Sequence, residues 1–164
     1  KKVFSTLKVN APAATDRVLT GKGKPGAIVR AYVGEKPISK TIKIGKSGSY
    51  RIAIPLQRGG REIRVKMSRS GYIDRTVKTK VLYIFKVFKV NSVRSSQNYV
   101  KGKGEPGAKI QAFVGSKSIS KPITVGKKGD YRIAIKKQKK GKIIRVKMTK
   151  SGYKVQEKSV KVSR

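Results

Sequence analysis

The chain has 164 residues, of which 43 are Lys or Arg and 7 are Asp or Glu, giving a formal net charge of +36. It contains no His and no Cys, which excludes a Ser-His-Asp triad, a Cys nucleophile and a zinc finger. The seven acidic residues are scattered, which argues against a calcium cage built from carboxylates. The composition therefore favours a binding or structural module over an enzyme and implies no cofactor.

An internal repeat with an offset of 81 residues dominates the sequence. Residues 21–27, 50–54 and 63–67 each match a segment 81 residues later, with no insertion or deletion between the copies. The repeat predicts two domains, at residues 1–83 and 84–164, and each is long enough to fold alone.

Short runs of alternating apolar and polar residues recur along each copy. This period-2 pattern is typical of strands that have one buried face. In the first copy the predicted strands cover residues 27–33, 50–54, 63–67 and 77–81. No stretch has the three- and four-residue spacing of an amphipathic helix. We therefore expect an all-β fold with about seven antiparallel strands in each domain, arranged as a sandwich.

Turn residues separate the predicted strands. Pro25-Gly26 suits the central positions of a type II turn, because Pro fixes φ and Gly accepts a positive φ. Residues 46–49 and 58–60 contain Gly and precede strands, so they are predicted to be hairpin loops.

The junction between the copies, residues 81–90, contains neither Gly nor Pro. We therefore expect the two domains to be joined end to end with little linker. This most apolar stretch is interrupted by lysines and is too short for a membrane span, which needs about 20 residues. The chain lacks an initial Met and a visible signal peptide, so we expect a monomeric fragment of a larger multidomain protein.

Several motifs resemble those of the bacterial immunoglobulin-like (Big) domains, which occur in tandem in Gram-positive surface and secreted proteins. They are Gly-Lys-Gly-x-Pro-Gly-Ala, Gly-x-x-Gly-x-Tyr, Ile-x-Val and Ser-Gly-Tyr, and both copies contain all four. The resemblance implies two tandem Ig-like sandwiches, an extracellular or wall-associated location, and a role as spacer, adhesin stalk or wall module. Family members are commonly acidic or near neutral, so the excess of Lys and Arg is a departure.

The sequence argues against two functional sites, a phosphate-binding loop and a duplicated carboxylate site. Gly45-Lys46-Ser47 resembles the end of a phosphate-binding loop, but the required earlier Gly is Lys40 and a predicted strand follows instead of a helix. No carboxylate occupies equivalent positions in the two copies, so a duplicated acid/base or calcium site is absent.

Basic residues recur where the carboxylates do not. We expect the recurring cations of the strands to lie on the outer face of a sheet, where they form a strip that binds polyanions. They are Arg51, Arg64, Lys66, Arg132, Arg145 and Lys147. A denser cluster is expected at a hairpin tip of the second copy and consists of Lys136, Lys137, Lys139, Lys140 and Lys142. The alternative is a solvated basic surface that only keeps the protein soluble.

Three functions fit this surface, and none involves a small-molecule substrate. The leading hypothesis is a non-catalytic wall-associated module that binds teichoic acid-like polymers and holds an attached domain at the envelope. The second is an adhesin stalk or spacer that contacts host glycosaminoglycans or other partners. The third is non-specific nucleic-acid binding, for which the sequence offers no cluster of stacking aromatics.

Overall fold

The computed structural model describes residues 1–164 and is built entirely from strands, turns and loops. The chain divides into two compact units, Lys1–Ile84 and Phe85–Arg164. None of its elements is a helix of the length and apolarity that a membrane crossing needs.

Each unit contains eight strands. Those of the first unit are β1 (Lys8–Val9), β2 (Val18–Lys22), β3 (Ile28–Val33), β4 (Lys36–Pro37), β5 (Ile42–Lys43), β6 (Ser49–Ala53), β7 (Glu62–Ser68) and β8 (Arg75–Lys80). Those of the second unit are β9 (Lys89–Val90), β10 (Tyr99–Lys103), β11 (Lys109–Val114), β12 (Lys117–Ser118), β13 (Ile123–Thr124), β14 (Asp130–Ala134), β15 (Ile143–Thr149) and β16 (Gln156–Lys161).

The strands of each unit form two sheets. In the first unit, a small sheet has the order β1-β2-β6, and a large sheet has the order β4-β3-β7-β8 with β5 also paired to β3. The second unit repeats this arrangement, with β9-β10-β14 as its small sheet and β12-β11-β15-β16, plus β13, as its large sheet. All these strand pairs are antiparallel. The predicted all-β, antiparallel sandwich architecture is confirmed.

The core of each unit lies between its two sheets. In the first unit, Leu19 and Ile52 of the small sheet join Val29, Val65 and Met67 of the large sheet in one buried cluster. All five belong to the apolar positions of alternating strands, and burial of each such side chain contributes about 1.5–3 kcal/mol. The second unit has its own equivalent cluster, so each unit contains a complete core.

A tyrosine fastens the first strand of each unit to its small sheet. The Tyr50 hydroxyl donates a hydrogen bond to the Lys8 carbonyl, with an oxygen–oxygen distance of 2.6 Å. To reach it, the ring crosses Gly21 of β2, where an added Cβ would lie well inside van der Waals contact of both groups. Tyr131 donates to the Lys89 carbonyl in the same way, also at 2.6 Å. The repeated Gly and Tyr are therefore coupled sterically, because a side chain at the Gly would occupy the space of the Tyr ring.

The type II turn at Pro25-Gly26 is confirmed. Gly26 has a φ of 87°, and the Ala27 amide donates to the Lys24 carbonyl at 3.1 Å. The predicted hairpin loops at residues 46–49 and 58–60 are wrong, because both segments cross from one sheet to the other. A Gly with positive φ closes a tight bend in either kind of connection, so the local sequence does not distinguish them.

After β1, the chain leaves the small sheet and joins the large one. Ala13 forms a parallel bridge with Leu82, in which the Ala14 amide donates to the Leu82 carbonyl at 3.0 Å and the Leu82 amide to the Pro12 carbonyl at 2.8 Å. Arg94 and Ser163 form the corresponding parallel bridge in the second unit. The start and the end of each unit are therefore bonded side by side.

Candidate polyanion-binding faces

The candidate cations occupy three parts of the two units. Arg51 and Arg132 lie on small sheets, in β6 and β14. The candidates on large sheets, in β7 and β15, are Arg64, Lys66, Arg145 and Lys147. The connection from β14 to β15 contains Lys136, Lys137, Lys139, Lys140 and Lys142. Arg51 and Arg64 thus lie on opposite outer faces of the first sandwich, and the strand cations do not form one strip.

Cations on the large sheet of the first unit are bound to neighbours within that unit. Lys66 forms an ion pair with Asp74 at 3.3 Å. The Arg64 guanidinium donates to the Gly34 carbonyl and lies 5.8 Å from the centre of the Tyr32 ring. These contacts fix the two side chains against the sheet and leave fewer donors for a ligand.

The same holds for the large sheet of the second unit. Arg145 pairs with Glu157 at 3.0 Å, donates to the Gly115 carbonyl and lies 5.4 Å from the centre of the Phe113 ring. Lys147 lies directly across from Glu157 in the register of β15 and β16. Three of the four large-sheet candidates, Arg64, Lys66 and Arg145, are therefore held by contacts within their own unit, whereas Lys147 belongs to none of the ion pairs.

The small-sheet face of the second unit is more open. Lys89, Lys101, Lys103 and Arg132 line a shallow surface depression of about 550 Å³. Asp130 is the only carboxylate among its lining residues and pairs with Lys103 at 3.2 Å, which leaves a net charge of +3. The three lysines are not among the candidates expected from the sequence, although the alternation along β10 points two of them outward with Tyr99.

Arg132 is held in place by stacking. Its guanidinium carbon lies 3.9 Å from the centre of the Tyr99 ring, and the Tyr99 hydroxyl accepts a hydrogen bond from Gln97 at 2.9 Å. A guanidinium stacked on an aromatic ring loses little further freedom when it binds an anion. The arrangement therefore presents an oriented cation beside exposed lysines.

The first unit has an equivalent small-sheet face. Lys8 of β1 lies across from Lys22 of β2. Arg51 of β6 lies across from Thr20, which is on the same side of β2 as Lys22. No carboxylate occupies this face, so its net charge is also +3. We call this face and its counterpart in the second unit the small-sheet cationic faces.

The five lysines of residues 136–142 are exposed. Their segment was expected to be a hairpin tip, and the structure corrects this to a crossover, because β14 pairs with β10 whereas β15 pairs with β11 and β16. It is anchored by Gly141, whose amide donates to the Val162 carbonyl at 2.8 Å. In the first unit, Tyr83 packs on Gly59 and Gly60 of the same crossover, which accounts for Gly59 at the position of Lys140.

No group of three or more metal-ligating side chains is present. Burial raises the pKa of Tyr50 to about 12 and also raises the pKa of Tyr131, so both phenols are neutral at physiological pH.

Comparison with protein families finds no family model that matches the chain. The chain is similar to the "Cell wall-associated protease" of Bacillus subtilis (strain 168), with 28% identity over 144 residues. That alignment covers 85% of this chain and 16% of the relative, so the chain spans about a sixth of the length of the curated relative it matches.

Solved structures of tandem β-sandwich domains resemble the chain at low identity. A biofilm-associated protein (BSP domain) aligns over 95% of this chain and 29% of its own, with 14% identity and a TM-score of 0.42. The FN1–FN3 domains of chicken CNTN1 align over 99% of this chain and 67% of their own, with 11% identity and a TM-score of 0.44.

Proposed function

We propose that the chain is a non-catalytic, surface-associated tandem module of the bacterial Ig-like type that binds anionic wall polymers. The small-sheet cationic faces and the lysine-rich crossover hold the polymer, and the module keeps an attached domain at the cell envelope. The similarity to a cell wall-associated protease supports the extracellular, wall-associated location.

The observation that carries this proposal is the repetition of the small-sheet cationic face. Each copy presents a net charge of +3 on one sheet surface, and most of its cations have no carboxylate partner. A polymer with one phosphate per unit can contact such sites repeatedly, so many weak Lys and Arg contacts add up. A flat face without a deep pocket suits a repeating chain better than a small molecule.

Cosedimentation with purified Gram-positive cell walls tests the proposal. We expect binding to fall steeply as NaCl rises from about 50 to about 500 mM, because salt screens exposed charges. Walls stripped of teichoic acid should bind much less of the protein. Binding that survives high salt, or that ignores the loss of teichoic acid, would contradict the proposal.

A matched pair of triple variants separates face-specific binding from net charge. The first carries Lys101→Gln, Lys103→Gln and Arg132→Gln on the small-sheet face. The control carries Lys109→Gln, Lys147→Gln and Lys161→Gln on the large sheet and loses the same charge. We expect the first variant to weaken wall binding several-fold more than the control, and equal losses would show that only net charge matters.

Competition distinguishes the other polyanions. Heparin and teichoic acid are added separately to wall-bound protein, and the concentration that releases half of it is measured for each. We expect teichoic acid to be at least as effective per charge as heparin. A clear preference for heparin would favour a glycosaminoglycan-binding stalk instead.

A further inference from the structure

An open groove repeats at one side of each sandwich. It runs between the last strand of the small sheet and the short strands that edge the large sheet, with volumes of about 940 Å³ in the first unit and 820 Å³ in the second. The lining positions correspond between the copies, so the groove belongs to the fold and not to one loop.

The floor of the second groove is apolar. Ile133 and Ile135 are buried beneath it, with 1% and 7% of their surface exposed. Ile119 and Ile123 are half-buried and pack against the same core. The groove therefore gives access to the edge of the hydrophobic core, where apolar side chains of a ligand would be removed from water.

One wall of this groove is an unpaired strand edge. β14 pairs only with β10, and the Ile135 amide donates to the Asn98 carbonyl at 2.9 Å. Because antiparallel strands alternate bonded and non-bonded positions, the backbone groups of Arg132 and Ala134 point away from β10. They form a free edge to which another strand can add.

The rim of the second groove is cationic. Lys117, Lys121, Lys136 and Lys142 line it, and no acidic residue does. All four lysines are exposed, and none belongs to any of the five ion pairs of the chain. A ligand in this groove would meet positive charge on the rim and apolar surface on the floor.

The first groove differs from the second in two proline residues. Pro37 and Pro55 line the first groove at the positions that Ser118 and Lys136 occupy in the second. Pro has no backbone N–H and is a common device for preventing strand addition at a sheet edge. The two copies therefore differ in the feature that strand pairing requires.

We propose that the groove of the second unit binds an extended peptide segment in which acidic and apolar residues alternate. The segment adds to the free edge of β14 through backbone hydrogen bonds, its apolar side chains face the isoleucine floor, and its carboxylates meet the lysine rim. The site borders the small-sheet cationic face, since Arg132 of the β14 edge belongs to both, and it shares Lys136 and Lys142 with the lysine-rich crossover. It does not depend on wall-polymer binding.

Fluorescence anisotropy with the intact chain tests the proposal. The probe is a labelled eight-residue peptide of alternating Val and Glu, and the comparison peptides are its alternately N-methylated form and a Val–Lys version. We expect binding of the first peptide alone, with an affinity that falls as salt rises. Equal binding of the N-methylated peptide would overturn strand addition, and absence of binding by the Val–Glu peptide would overturn the site.

Variants that exchange residues between the copies locate the site. Lys136→Pro installs the residue that the first unit already has, whereas Lys136→Gln removes only the charge. Because the Ile135 amide bonds to Asn98, the alternation directs the next amide, that of Lys136, away from β10 and towards the groove. Loss of its hydrogen bond in addition to the charge should weaken binding about fivefold more in Lys136→Pro than in Lys136→Gln. The reverse change, Pro55→Lys, should strengthen binding to the first unit.

Two further outcomes would reject the proposal. Equal affinity of the Lys136→Pro and Lys136→Gln proteins would place the peptide elsewhere or make its binding purely electrostatic. Displacement of the peptide by monomeric dodecyl sulfate, together with equal binding of the N-methylated peptide, would assign the groove to an anionic amphiphile. Wall cosedimentation is read separately, so failure of one proposal leaves the other standing.

Discussion

Gly21 and Tyr50 show how a single residue pair fixes the small sheet. The ring of Tyr50 needs the space above Gly21 to reach the Lys8 carbonyl. Since β1 has only two residues, this hydrogen bond is a substantial part of what holds it. The pair recurs as Gly102 and Tyr131, so the same constraint acts in both units.

Gly21→Ala should therefore destabilise the first unit strongly. The new methyl group would collide with the Lys8 carbonyl and the Tyr50 hydroxyl, and relief requires loss of the hydrogen bond or a backbone shift. We expect a loss of at least about 2 kcal/mol in urea unfolding. Gly45→Ala is the matched control, because no atom lies within 4 Å of an added Cβ there; equal effects of the two changes would contradict this account.

Tyr50→Phe should cost about 1 kcal/mol at neutral pH, since it removes one buried hydrogen bond. The pKa of Tyr50 is raised from 10.0 to about 12 in the folded protein, so its contribution to stability is complete below pH 10 and is lost as pH rises towards 12. The measurement is unfolding of both proteins at several pH values. The stability advantage of the natural protein should shrink across this window, and a constant difference would exclude the linkage.

At the scale of strands and loops, the alternation along β3, β6, β7 and β8 was sufficient to predict the strands and their buried sides. It could not predict two-residue strands such as β4 and β5, which are too short to show a period. Nor could it place Arg51 and Arg64 relative to each other, because alternation separates the inner from the outer side of a strand without saying which sheet contains it. The sheet to which a strand belongs depends on its pairing with strands that are distant in sequence.

The crossover loops offer a test at this scale. Gly59→Lys introduces the residue that the second unit has at this position, and its Cβ would meet the Tyr83 ring. We expect a loss of about 1–2 kcal/mol in Gly59→Lys. The double variant that also carries Tyr83→Arg has the residues found at the equivalent positions of the second unit, Lys140 and Arg164. It should therefore recover most of the lost stability. Additive effects in a double-mutant cycle would show that the two positions are not coupled.

For the whole molecule, the net charge of +36 is a cost to folding as well as an attraction for anions. Five of the seven carboxylates already form ion pairs, so most of the 43 cations have no carboxylate partner. Repulsion between them favours the expanded chain. The two complete cores provide the opposing stabilisation.

Salt should consequently raise the thermal stability of the chain. We expect a higher melting temperature at about 0.5 M NaCl than at about 0.01 M, because screening weakens the repulsion between exposed cations. Differential scanning fluorimetry measures the shift. The triple variant with Lys109→Gln, Lys147→Gln and Lys161→Gln should respond less to salt, and an unchanged or opposite response would indicate that self-repulsion is unimportant.

The parallel bridge between Ala13 and Leu82 has a mechanical consequence. When the first unit is pulled through its two ends, the segments around these residues are drawn in opposite directions along their common axis. The hydrogen bonds donated by the Ala14 and Leu82 amides then bear the load in shear and must break together, whereas the hydrogen bonds of a hairpin pulled at its open end break one at a time. The Arg94–Ser163 bridge gives the second unit the same geometry, so each sandwich is built to resist tension along the chain.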